Sequence, residues 1–305
     1  MSGSQAGAAA RKEHLDGIAV ALLLVCSLFW GFQQVLVKAT VTELAPAFQA
    51  GLRFLGGTLC LWAWCRWRGL PLFERDGTLR DGLIAGALFS AEFALLFCAT
   101  RYTTASRVTV FAYTAPFWVA ALVPLFVRSE RLRTLQWVGL VLAFVAVLVA
   151  LGDGLGRGAP ADQWTGDLLA VAGGASWGLT TVIIRARGLT RLSPEKLLFY
   201  QVAVSSLLLP ALSLVLGEPW PWPWSPFAWT SVLVQAVVGA FLSYLAWMWL
   251  LSHYPATRIS VFAFFTPVFA MIIGPLWLGE RLGPGLILSV VLVAAGIVLV
   301  NRRAD

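Results

Sequence analysis

Charge is scarce in this chain. Only 12% of its 305 residues are Asp, Glu, Lys or Arg, against about 25% in an ordinary soluble domain. That scarcity excludes a surface kept in water. Histidine is rarer still: His14 and His253 are the whole supply, too few for a histidine-built metal or catalytic cluster. The four cysteines, Cys26, Cys60, Cys65 and Cys98, have no metal-ligand spacing and fall in or at the ends of apolar runs, where they read as small packing residues. There is no HExxH, no Ser/His pair at a useful spacing and no GxxxxGK[ST]. These absences predict no metal, no cofactor, no enzymatic chemistry and no ATP-driven transport by this chain alone, and give no sign of an ATPase subunit.

What is present is long apolar sequence. Hydrophobic residues make up 59% of the chain, and mean hydropathy is +0.80. A helix needs about 20 mainly apolar residues to cross a bilayer. Ten such runs are predicted: 17–38, 46–66, 81–101, 107–127, 134–152, 166–185, 194–216, 227–252, 257–278 and 284–301. A barrel would show short alternating segments instead. The fold class is therefore an all-α polytopic membrane protein. The first run is too long for a signal-peptide core and is read as a retained helix.

The net charge of +7 follows from topology and predicts no nucleic-acid partner. With the N-terminus inside, 16 Lys and Arg fall in inside regions and 5 in outside ones. That bias places both termini in the cytoplasm. The outside Trp220-Pro-Trp222-Pro-Trp224 loop reads as an interfacial anchor.

The sequence also repeats. Trp30-Gly31 followed by Lys38 returns 147 positions later as Trp177-Gly178 followed by Arg185. The stretch Arg107–Pro116 returns at Arg258–Pro267, offset by 151, and Pro124 recurs as Pro275. Glu130-Arg131-Leu132 matches Glu280-Arg281-Leu282, and Pro46 aligns with Pro194, which sets Arg53 opposite Gln201. The domains predicted are a cytoplasmic tail 1–16, a five-helix repeat 17–152, a Gly-rich join 153–165, a second repeat 166–301 and a tail 302–305. Five spans is an odd number, so the second copy is predicted to enter the membrane inverted, with a binding site near the midplane between the copies.

On these motifs the chain resembles the EamA-type branch of the drug/metabolite transporter superfamily. Among exporters of known type, the resemblance is to the YddG-type amino acid exporters. It implies a multi-pass transporter of the cell inner membrane that exports small metabolites, amino acids foremost. Export of drugs or other amphipathic metabolites is the neighbouring alternative. A channel or a non-transporting scaffold is the alternative of another class.

Intramembrane polar residues are costly and supply the candidate site. Glu92 is a candidate for proton coupling or for a substrate amine. Arg53 suits a substrate carboxylate, a pair with Glu92 or an outward snorkel. Trp30 and Gln34, and likewise Trp177 and Thr181, lie on one helical face each. Tyr113 and its mate Phe264 precede Pro116 and Pro267, which free the carbonyls of Ala112 and Ala263 and mark candidate hinges. Tyr200 and Tyr244 add hydroxyls. Trp247 and Trp249 read as lipid-facing or interfacial, and Glu130 and Glu280 as tight-loop and membrane-surface anchoring residues, with gating salt bridges as the alternative. The expected partners are a small-molecule substrate and the lipid bilayer; the sequence leaves the oligomeric state open.

Overall fold

The computed structural model describes residues 16–126, 134–154, 162–254, 262, 263 and 265–301. Every regular element among them is helical. In chain order they are α1 (Gly17–Thr40), α2 (Pro46–Arg68), α3 (Leu79–Tyr102), α4 (Ala105–Ala112), α5 (Ala115–Phe126), α6 (Thr134–Gly154), α7 (Gln163–Ala186), α8 (Pro194–Val215), α9 (Pro226–Val234), a π-helical stretch (Gln235–Leu242), α10 (Ser243–His253), α11 (Phe265–Leu278) and α12 (Pro284–Asn301). Five helical stretches, Gly17–Thr40, Leu79–Tyr102, Gln163–Ala186, Pro194–Val215 and Pro226–Trp247, are each long and apolar enough to cross a membrane. Shorter apolar helices accompany them. The chain is a polytopic, all-helical membrane protein.

Local chemistry sets the helix starts. Pro46, Pro194, Pro226 and Pro284 are each the first residue of a helix, where a missing N–H costs nothing. The side chains of Asp16, Thr104, Ser193 and Ser225 accept from amides three residues on.

Two of the runs read as single spans are interrupted. In the fourth, α4 stops at Ala112, and Tyr113 and Thr114 form a turn before α5. Pro116, the second residue of α5, cannot donate to the Ala112 carbonyl, so the expected kink is a break. In the eighth, the π-helical stretch separates α9 from α10. Its Gly239 carbonyl accepts from the Ser243 hydroxyl at 2.7 Å.

The end predicted to face outside is tied by carboxylates set on neighbouring helix N-termini, where unsatisfied amides and the helix dipole favour an anion. Glu43 accepts from the Ser225 amide and hydroxyl (2.6 and 2.5 Å), and Glu218 from the amides of Ala47 and Phe48 (3.2 and 2.9 Å). Glu280 accepts from the amides of Ala105 and Ser106 (2.6 and 3.2 Å), and Asp153 from Gly285 (3.0 Å). Glu280 lies in the loop between α11 and α12, as read, and from there it also reaches across to α4. Arg107, counted with the outside loops, is instead buried. Its Nε and Nη2 donate to the two Asp167 oxygens at 2.9 and 2.6 Å, and Nη2 also meets the Ala150 carbonyl at 2.6 Å. Glu130 and Arg131 lie outside the described residues.

Of the four cysteines, Cys26 and Cys65 are buried and all four are free thiols. In the WPWPW loop, Trp220 stacks on Phe48 at 4.8 Å, while Trp222 is 73% exposed.

Candidate functional site

The two Trp-Gly pairs set the frame of the site. Gly31 in α1 lies against the Thr266 carbonyl, Phe269 Cβ and the Ala270 amide of α11, so close that an added Cβ would stand 2.8–2.9 Å from each. Gly178 in α7 lies against the Ala115 carbonyl, Trp118 Cβ and the Val119 amide of α5, where an added Cβ would stand 3.1, 2.5 and 3.2 Å away. At the offset of 151, Ala115, Trp118 and Val119 correspond to Thr266, Phe269 and Ala270. The same contact is thus made twice, each time between one half of the chain and the other. Only glycine permits so close an approach.

This packing turns the tryptophans inward onto a cavity of about 250 Å³. Of the residues predicted for the site, Trp30, Gln34, Arg53, Glu92, Tyr113, Trp177, Thr181 and Tyr244 all line it. Trp30 donates its indole N–H to the Ser243 hydroxyl (2.9 Å), which in turn donates to the Gly239 carbonyl. Trp177 stands edge-on to Tyr113 at 5.6 Å. Each tryptophan is therefore held by a partner on another helix.

Arg53 is only 1% exposed. It does not snorkel, and among the described ion pairs none joins it to Glu92. Its guanidinium lies 4.9 Å from the Phe93 ring centroid and 5.1 Å from that of Phe54, with Phe97 at 5.8 Å. Phe89, Phe93 and Phe97 recur every fourth residue, so α3 presents them as one aromatic stripe. The Gln33 amide oxygen, oriented to suit its neighbours, accepts from both Arg53 terminal nitrogens at 2.7 and 3.2 Å. Arg53 Nε keeps no hydrogen-bond partner, and neither does Glu92 Oε2. Cation–π contacts, the Gln33 amide and the Tyr244 hydroxyl within hydrogen-bonding reach hold the charge in place, while Arg53 Nε and Glu92 Oε2 stay unused.

The repeat mate of Arg53, Gln201, also lines the cavity, as do Gln33, Thr180, Thr266, Phe89, Phe93 and Trp247. Sequence reading missed Gln33 as a site residue, although it stands beside Gln34 within the repeat. It misplaced Trp247, which meets Trp30 edge-on at 5.2 Å and does not face lipid. Trp247 follows Tyr244 by three residues, which puts both on one helical face. Trp249 does point outward, 43% exposed. Tyr200 is not brought to the cavity. Its ring packs at Gly82 of α3, and its hydroxyl meets the Thr78 hydroxyl at 3.2 Å. Adjacent helix positions diverge by about 100°, so Gln201 faces the cavity and Tyr200 faces α3. Phe264 lies outside the described residues. Pro116 stands just past the Tyr113 turn, and Pro267 is buried near the start of α11.

Arg101, Arg66 and Arg68 lie outside this lining, and Lys38 donates to the Thr100 carbonyl at the end of α3. No group of three or more metal-ligating side chains occurs among the described residues.

Comparison with known proteins agrees in kind. The model of the EamA-like transporter family matches residues 17–152 and again 164–302. A protein of Archaeoglobus fulgidus named as an uncharacterized transporter is 25% identical over 96% of this chain and 98% of its own. A probable amino-acid metabolite efflux pump of Salmonella typhimurium is 27% identical over 92% of this chain and 93% of its own. A solved crystal structure superposes with a TM-score of 0.64 at 19% identity, over 92% of this chain and 95% of that one, a likeness of fold.

Proposed function

Since the chain belongs to the EamA-like transporter family, we propose that it exports amino acids by secondary transport. The observation that carries the substrate class is the pair of unused polar atoms in one aromatic cavity. Arg53 Nε offers a donor for a carboxylate and Glu92 Oε2 an acceptor for an ammonium. A small zwitterion presents both groups. The cavity volume of about 250 Å³ falls below the roughly 300–1,000 Å³ of sites for drug-sized ligands, which disfavours a bulky amphipath. The efflux-pump name of the Salmonella relative supports the same class.

The mechanism we propose is alternating access between two inverted five-helix repeats in a ten-span protein, with both termini cytoplasmic. The two matches of one family model and the duplicated Gly31 and Gly178 contacts support it. In this reading Pro116, just past the Tyr113 turn, and Pro267, near the start of α11, mark the hinges, and Glu92 carries a coupling proton. The carboxylate ties then hold the outer end shut, and opening outward breaks them.

The test is flux of a labelled amino-acid panel in proteoliposomes. Saturable flux and counterflow of at least one member are expected, and their absence for every member overturns the substrate claim. Competition by amphipathic cations on the same vesicles separates the drug-export reading.

A further inference from the structure

A second cavity, about 300 Å³, lies where α2 ends, under the loop to α3. Its walls are mostly apolar, with Trp62, Leu70, Leu72 and Phe73, and two charges line it, Arg66 and Glu74. Leu55, Leu59, Trp62 and Arg66 are spaced four, three and four residues apart, so they share one face of α2. The first three are exposed large apolar side chains. In a bilayer that stripe faces acyl chains and ends at Arg66, at the depth of lipid headgroups.

Of the other charges nearby, Arg75 and Arg80 do not line this crevice, and others have partners. Asp76 receives the Lys196 ammonium at 2.9 Å and the Thr78 hydroxyl at 2.6 Å. Asp81 pairs with Arg187 at 3.8 Å, and Arg68 lies over the Trp64 ring at 5.6 Å. Arg66 and Glu74 belong to no ion pair among the described residues. One cation and one carboxylate beside an apolar stripe match a headgroup that carries both a phosphodiester and a primary ammonium.

We propose that this crevice binds an aminophospholipid of the phosphatidylethanolamine type. It rests on reading α2 as a membrane-spanning helix, and it is independent of the substrate. Arg66 takes the phosphate through its planar fork. Glu74 accepts from the ammonium, which a choline headgroup cannot offer because its nitrogen bears no hydrogen. Trp62 and Phe73 sit at the interface, and one acyl chain follows Leu59 and Leu55.

The experiment is native mass spectrometry of the full chain after exposure to an equal mixture of phosphatidylethanolamine, phosphatidylcholine and phosphatidylglycerol with matched acyl chains. The ethanolamine lipid should be retained about three- to fivefold over the choline lipid, the range of an exposed charge pair. Glu74→Gln should abolish that preference, and Arg66→Gln should reduce retention of all three. Both side chains are exposed, so neither change disturbs packing, and a monodisperse elution profile checks it. Equal retention of ethanolamine and choline lipids by the parent protein overturns the proposal without any variant. So does dominance of the glycerol lipid, or an unchanged ratio in Glu74→Gln. Amino-acid flux on the same preparation reports on the cavity separately.

Discussion

The faces around Trp30 and around Trp177 share a frame and differ in chemistry. Gly31 and Gly178 make one contact twice, down to corresponding atoms of α11 and α5. Of the cavity's lining, however, the first half brings Gln33, Arg53 and Glu92. The second half brings Thr180, Thr181, Gln201 and Tyr244, none of them charged at neutral pH. The backbone contact is the same in both places, and the side chains that line the cavity differ. A repeated contact thus frames a lopsided set of charges, which under the proposed amino-acid export would favour one orientation of a zwitterion.

The sharpest way to break that comparison is to make the halves alike. Arg53→Gln copies Gln201 into the first half. Loss of a buried, hydrogen-bonded charge partner costs about 2–5 kcal/mol, so saturable flux should fall about 30-fold or more. Adding Gln201→Arg should not restore it, because the Phe93, Phe97 and Gln33 surroundings exist on one side only. Rescue by the double change would show that the halves are interchangeable.

Glu92→Gln tests the other charge. The variant should fold and still transport, with the pH dependence of flux flattened. An unchanged pH profile in proteoliposomes removes Glu92 as the proton carrier.

The shared frame has its own test. Gly31→Ala and Gly178→Ala should each destabilise the detergent-solubilised protein by about 1–3 kcal/mol, the usual cost of overpacking. Comparable losses in thermal unfolding sharpen the symmetry, and a silent Gly178→Ala breaks it. Trp30→Phe removes one hydrogen bond to Ser243, worth about 1 kcal/mol net, and should lower the unfolding temperature less than either glycine change.

The smallest effect concerns the far end. The Thr78 hydroxyl, Lys196 and the Thr78 amide hold the Asp76 carboxyl well below its ordinary range. A carboxyl depressed in the folded state stabilises above its unfolded value of about 4 and loses that contribution as pH falls toward its folded one. Asp76→Asn should therefore cost a little stability at neutral pH, and the gap to the parent should narrow in acid. Parallel acid limbs in denaturation curves would contradict this.

How much of this was legible depended on the kind of signal. Trp30, Trp177, Arg53 and Glu92 announced themselves, because a repeated motif or an ionisable residue inside an apolar run has few bland explanations. Gln33 did not, since a helical amide looks the same whether it faces lipid, protein or a guanidinium. Trp247 was misread because membrane tryptophans usually mark interfaces, and only its place beside Trp30 overrides that rule. The Arg107–Asp167 pair was hidden for a similar reason. Counting charges in loops assumes solvated loops, while these two residues begin α4 and α7 and are buried between them. The π-helical stretch at Gln235–Leu242 has no residue signature, and its Ala236 and Ala240 pack tightly on Gly56 and Gly57 of α2.

The reciprocal glycine contacts also govern how the protein is made. As the chain is synthesised, α1 enters the bilayer with the face around Gly31 bare, and its cover, α11, is translated near the very end. The face of α5 that receives Gly178 waits in the same way for α7. A ribosome stalled in the join between the halves would hold α1 to α6 and no finished cavity. Completion belongs to the last quarter of the message, and a nascent chain lacking it exposes the surfaces that membrane quality control would recognise.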